Sequence, residues 1–178
     1  MQLFNLHTHT NFSDGKSTAE EVVQEAIRQG LKILGFSDHS PVPFENSFAI
    51  KNDEVQNYID TINSLKEKYK DQIKIYCSME MDFIPGIVKN FKETKEKYGL
   101  DYLIGSVHLV GNDIDKLWFI DGSKVETYDE GLFTFKSVLN FSSFAQTAVK
   151  ELPNIKHIEI KPAIALFIKM QASCVLSY

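Results

Sequence analysis

Short apolar runs that each stop at a side chain able to bind a metal ion constrain this chain more than any other feature. Residues 2–6 run into His7-Thr8-His9, residues 31–36 into Asp38 and His39, residues 73–78 toward Glu80, and residues 101–107 into His108. A last run, residues 155–160, carries His157 and Glu159. All five histidines of the chain fall in this series, an economy that ordinary surface or core histidines would not show.

Between these runs the apolar period changes to that of a helix. Residues 18–29 place Val22, Val23, Ala26 and Ile27 on one face, with Ser17 and Glu20 in the pattern of a capping box and Gly30 as the stop. Val55, Tyr58, Ile59, Ile62, Leu65 and Tyr69 define a second helix, capped by Asn52 or Asp53. A third is expected over residues 87–98, ended by Gly99, and a fourth over about residues 132–151. Trp118-Phe119-Ile120 lies in a turn-rich stretch and suits a hairpin or a lid. Short buried strands alternating with helices pair in parallel and wear their helices outside. In such folds the C-terminal strand ends meet at one face, which is where sites form. The expectation is an α/β barrel or partial barrel, a single domain over residues 1–178, with the potential ligands on that face.

Composition narrows the partners. A formal charge of −5 argues against a nucleic-acid surface. Arg28 is the sole arginine, so a bound phosphate would depend on metals, lysines or helix N-termini. Cys77 and Cys174 have no zinc-like spacing and are expected as small hydrophobes in a reducing cytoplasm. The first residues lack the features of an export signal. The apolar stretch 163–176 contains Lys169 and Gln171 and is too short to span a bilayer.

The ligand types indicate the chemistry. His7 and His9 are two apart in an extended segment, so both side chains face the same way and can reach one ion. Asp14-Gly15 forms a turn that can bring an anionic oxygen back over the imidazoles. Asp38 faces away from its neighbour His39, which leaves it either orienting another ligand by a hydrogen bond or capping the following turn. Glu80 is the expected bridge, because one carboxylate can join two cations about 3.5–4 Å apart. Asp82, two residues on, is its competitor. Met79, Met81, Phe83 and Ile84 would enclose Glu80, and a cation would neutralise a charge that is otherwise costly to bury. His157 and Glu159 form a second alternating pair, although a solvated strand edge between Lys156 and Lys161 would look the same.

These donors are nitrogen and oxygen throughout, and they outnumber the needs of one tetrahedral ion. Two or three divalent ions, Zn, Mn or Fe, are expected. Paired cations activate water and neutralise a transferring phosphoryl group, so hydrolysis of a phosphate ester is the reaction such a site serves best. The expected metal ligands are His7, His9, Asp14, His39, Glu80, His108, His157 and Glu159. Glu80, His108 and Asp38 are the expected catalytic residues, with Lys161 and Lys124 as contacts for the substrate phosphate.

Four segments, His7 to Gly15, Gly35 to Pro41, Glu80 to Gly86 and Ile104 to His108, resemble in order the motifs of the PHP (polymerase and histidinol phosphatase) superfamily, and most closely its monofunctional histidinol-phosphatases. The stretch from Trp118 to Asp129 is also similar to that group. The resemblance implies a distorted seven-stranded (β/α) barrel, incomplete in this chain, with up to three metals. It implies that His7, His9 and Glu80 hold one ion, Glu80 and His108 a second, and Asp14 with His39 a third. The family's late Gly-His-x-Asp motif has its nearest counterpart in Lys156-His157-Ile158-Glu159. After about Gly131 the likeness weakens: no histidine stands between His108 and His157, and no arginine follows Arg28.

The resemblance implies a phosphomonoesterase acting on L-histidinol phosphate in histidine biosynthesis. The alternatives are a phosphodiesterase acting on nucleotides and a truncated metal-binding protein without catalysis. The expected partner is a small phosphorylated metabolite rather than nucleic acid or membrane, with a homodimer covering the edge of an open sheet.

Overall fold

The computed structural model describes residues 4–84, 87–88, 90–110, 114, 117–119 and 158–159. Its elements, in chain order, are β1 (Phe4–Asn5), α1 (Ala19–Arg28), β2 (Ile33–Phe36), α2 (Val55–Lys68), β3 (Lys74–Asp82), α3 (Phe91–Tyr98), β4 (Tyr102–Ser106), β5 (Leu109–Val110), β6 (Trp118–Phe119) and β7 (Ile158–Glu159). The chain forms two compact units, and β3 and β4 run from one into the other. Among the described residues the first unit comprises 4–81 and 90–104, and the second the remainder.

In the first unit β1, β2 and β3 are neighbours in parallel, with Phe4 opposite Ile33 and Phe36 opposite Cys77. β4 follows beside β3, where the Asp101 amide donates to the Cys77 carbonyl at 2.8 Å. β3 is buried on both faces from Cys77 onward, as a central parallel strand must be. The Tyr102 hydroxyl donates to the Leu6 carbonyl, so β4 reaches across to the end of β1. Gly35 of β2 lies beneath it, and a Cβ there would collide with the Tyr102 ring and hydroxyl. The expected α/β class with a parallel sheet is what the structure has, and it is consistent with part of a PHP-type (β/α) barrel.

Several boundaries differ from expectation. The capping box of α1 is one residue later: Thr18 accepts from the Glu21 amide at 3.3 Å, and Glu21 accepts from the Thr18 amide at 2.8 Å. Glu20, the acid assigned there from sequence, instead accepts from Lys68 and Tyr69 of the α2 end. Neither Asn52 nor Asp53 caps α2, because a turn closed by the Glu54 amide on the Lys51 carbonyl feeds straight into the helix, with Glu54 as N-cap. Gly30 and Gly99 do take positive φ after α1 and α3, the geometry that ends a helix without strain at Cβ.

In the second unit the end of β4 pairs in parallel with β7, Gly105 opposite Ile158 and Ser106 opposite Glu159. β5 and β6 are antiparallel, Leu109 opposite Phe119, so the Trp118-Phe119 patch is a hairpin strand. Ile84 and Val88 form an antiparallel bridge, and the Ile87 and Val88 amides both donate to the Ile84 carbonyl, so residues 87 and 88 precede α3 rather than open it. The helix expected over residues 132–151 lies outside the described residues.

Candidate metal centre

The loop from His7 to Gly15 is stitched to the end of β2. The Thr8 amide donates to Ser37 Oγ at 3.2 Å, and the Ser37 amide to the Thr8 carbonyl at 2.9 Å. Asp38 Oδ1 accepts three donors, the Thr10 amide at 2.7 Å, Thr10 Oγ1 at 2.9 Å and Ser13 Oγ at 2.7 Å. Neither of the two roles posed for Asp38 matches these bonds: it ties down Thr10 and Ser13, in the loop that carries His9 and Asp14, rather than a ligand side chain or the following turn. Burial pushes its carboxyl above the ordinary range, and these hydrogen bonds oppose that shift. The Gly15 amide donates back to the Thr10 carbonyl at 2.9 Å, folding Asp14 toward His9.

The β2–β3 ladder continues past β2 as a bridge between His39 and Glu80, with the Ser40 amide donating to the Glu80 carbonyl at 2.8 Å. Glu80 thus sits inside the long strand β3 rather than just beyond a shorter one. Its side chain is 1% exposed.

Three donors converge there. Glu80 Oε2 is 3.0 Å from His7 Nε2 and 3.0 Å from His9 Nε2, and the two nitrogens are 3.2 Å apart. Two neutral imidazoles and a carboxylate cannot satisfy all three edges of this triangle by hydrogen bonds, since each edge needs its own proton. One cation satisfies them together: nitrogen and oxygen ligands at about 2.0–2.1 Å around a tetrahedral ion stand about 3.3 Å apart. The residues fit a divalent metal on this ground.

A second triad shares His9. His9 Nδ1 is 2.8 Å from Asp14 Oδ1, and His39 Nε2 is 3.7 Å from Asp14 Oδ2. A neutral imidazole has one lone pair, so an N–H at Nδ1 donating to Asp14 turns the His9 Nε2 lone pair to the first triad. Asp14 then presents Oδ2 on the side of His39. Burial alone would lower the basicity of His9, but hydrogen bonds to Glu80 and Asp14 outweigh it and raise its pKa to about 9. Partial burial likewise pushes Asp14 upward, and His9 and His39 hold it below its ordinary value. A place that favours an extra proton so strongly is one of negative potential, suited to a cation.

In the second unit His108 is buried and bonded to Asp82: Oδ1 is 3.0 Å from the His108 amide nitrogen and 3.0 Å from His108 Nδ1. Sequence reasoning treated Asp82 only as a rival to Glu80. Its position two residues along the same strand was the available signal, because alternation sets both on one face. Glu159 lies in β7 opposite Ser106. His157, Lys161 and Lys124 lie outside the described residues.

An α/β fold with a parallel sheet and overlapping imidazole–carboxylate triads defines the class as a metal-binding domain. The chain belongs to the PHP family, whose PHP domain matches residues 5–170. It is 30% identical over 132 residues to the "Probable histidinol-phosphatase" of Deinococcus radiodurans, covering 72% of this chain and 49% of that protein. A crystal structure from Listeria monocytogenes shares the fold with a TM-score of 0.70 at 20% identity, covering 87% of this chain and 65% of that one. The histidinol phosphate phosphatase of Lactococcus lactis, solved with zinc, L-histidinol and phosphate, gives a TM-score of 0.58 at 25% identity, with 89% and 57% covered. The chain spans about half the length of the curated relatives it matches. Among the described residues no helix is long and apolar enough to cross a membrane.

Proposed function

We propose that this protein is a metal-dependent phosphomonoesterase whose substrate is L-histidinol phosphate, cleaved to L-histidinol and phosphate. The observation that carries the reading is the 3.0–3.2 Å triangle of His7, His9 and Glu80, which a cation satisfies and protons do not. The choice of substrate is supported by the relatives, one of which was crystallised with zinc, L-histidinol and phosphate.

His7, His9 and Glu80 would hold one ion, and Asp14 with His39 another. His108, His157 and Glu159 would supply the further ligands that the family pattern implies. The chemistry such ions supply is Lewis acidity, which activates water near neutral pH and neutralises phosphoryl charge. Asp14 fixes the His9 tautomer, and Asp38 holds the loop on which both sit. Glu80 keeps its carboxylate away from bulk water, where its attraction for a cation is weakened least by the solvent. Lys161 and Lys124 are assigned to the substrate phosphate, a role arginine would otherwise take.

We further read residues 1–178 as one PHP-type domain, supported by the family match over 5–170. A reducing cytoplasm suits the buried thiol of Cys77, and the net charge of −5 disfavours a nucleic-acid partner. A homodimer would cover the exposed Phe4 and Leu6 of the β1 segment; a monomer mass at every concentration in solution scattering removes that reading. The function itself is tested by loading the protein with Mn²⁺ or Zn²⁺ and measuring phosphate release from L-histidinol phosphate, with Glu80→Ala as control. No release from the fully loaded protein overturns the proposal, and faster cleavage of bis-p-nitrophenyl phosphate moves it to a diesterase.

A further inference from the structure

The Asp82 side chain does something that neither triad explains. A single oxygen, Oδ1, receives the His108 backbone amide at 3.0 Å, His108 Nδ1 at 3.0 Å and Ser106 Oγ at 3.2 Å. Asp82 and His108 are both buried. A carboxylate oxygen has two lone pairs, and three donors saturate it. That oxygen is therefore committed to hydrogen bonds, which argues against its being a metal ligand in competition with Glu80.

The geometry also determines the ring. A backbone N–H can only donate, so Oδ1 must be the acceptor facing His108. An ionised carboxylate can only accept, so the Nδ1 of the same residue, which meets the same oxygen, carries its proton there. This closes a small chelate in which the amide and the ring nitrogen of one residue grip one atom, leaving little rotation about the bonds between them. With the proton on Nδ1, the lone pair of the neutral imidazole is on Nε2.

We propose that Asp82 is a positioning residue that sets the tautomer and orientation of His108, delivering Nε2 as a metal donor. The inference rests on the reading of His108 as a ligand. Carboxylates bonded to the far nitrogen of a ligating histidine raise its basicity, and their loss typically weakens metal binding about 10–100-fold.

The test combines a measurement on the unaltered protein with two variants. Long-range proton–nitrogen correlation spectra of the metal-free, ¹⁵N-histidine-labelled protein report each tautomer, and the His108 resonances are assigned by their loss in His108→Gln. The Nδ1–H form is expected; an Nε2–H form overturns the proposal whatever the variants do. Asp82→Asn keeps the shape and an acceptor oxygen but removes the charge. It should weaken Mn²⁺ binding, followed by paramagnetic resonance titration, by about 10–100-fold, and His108→Gln by at least as much. A purely structural Asp82 would lower the unfolding midpoint in Asp82→Asn and leave Mn²⁺ affinity unchanged, and that result overturns the inference alone. Unchanged affinity in His108→Gln overturns the ligand reading beneath it, a separate failure.

Discussion

At position 15 a side chain has no room. A Cβ there would lie 2.7 Å from the carbonyl carbon and oxygen of His9 and 2.7 Å from the Thr10 nitrogen, and all three are backbone atoms that cannot swing aside. The close approach is what brings Asp14 within 2.8 Å of His9. Gly15→Ala should therefore displace Asp14 and weaken metal binding, with a loss of about 1–3 kcal/mol of stability from overpacking; titration with Mn²⁺ and urea unfolding check the two parts. Asp38 serves the same loop from below. Asp38→Ala removes the acceptor of the Thr10 amide and of two hydroxyls, at a cost of about 2–4 kcal/mol, and should lower metal affinity through His9 and Asp14 although Asp38 is in none of the described ligand groups. If Asp38→Ala unfolds like the parent in urea, the loop is anchored by something else. Glu80→Gln tests the first triad directly, since the amide nearly matches the shape and removes the charge. Metal content after dialysis, measured by elemental analysis, should fall by at least one ion per chain.

At the level of elements, the alternation of strand and helix was readable because apolar period and glycine stops agreed. The ends were less so. Ser17 and Thr18 offer equally good caps to Glu20 and Glu21, and the choice between them is made by Lys68 and Tyr69, which draw Glu20 away across a long sequence interval. Thr18→Ala should thus cost about 1 kcal/mol in chemical denaturation and leave metal content intact, whereas Ser17→Ala should change neither stability nor metal content. β3 was underestimated for a related reason. The apolar run stops at residue 78, yet the strand continues through Glu80, enclosed as its apolar neighbours imply and lying beside two imidazoles, to Asp82, which is buried on His108. Charge in a strand signals a surface only when nothing nearby can compensate it, and the compensating groups come from residues 7, 9 and 108. That His7 and His9 face one point was legible from their spacing, whereas the presence of Glu80 beside them came only from the family resemblance. The supporting role of Asp82 was not legible, because it depends on a hydrogen bond to a residue 26 positions away.

For the molecule as a whole, the cluster places several acidic groups at or near the same point without a basic side chain of lysine or arginine among their described contacts. Glu80 and Asp38 are buried, and Asp14 faces two histidines. Among the described residues the groups that face this charge are histidines, and divalent ions bound there would offset it. Binding to the folded state and not the unfolded one adds stability by mass action, about 2.7 kcal/mol for one site at a ligand concentration 100 times its dissociation constant. For a chain of 178 residues, each kilocalorie moves the melting temperature by about 2–4 °C. Stripping the protein with a chelator should accordingly lower its melting temperature by about 5–10 °C, and restoring Mn²⁺ or Zn²⁺ should recover it. Glu80→Gln should start near the stripped value and respond little to added metal, because it lacks the charge that makes the first triad bind. Calorimetry of the four samples decides the matter: equal midpoints with and without metal in the unaltered protein would mean that the triads are held together by protons and hydrogen bonds alone, and the metal-centred account would fall.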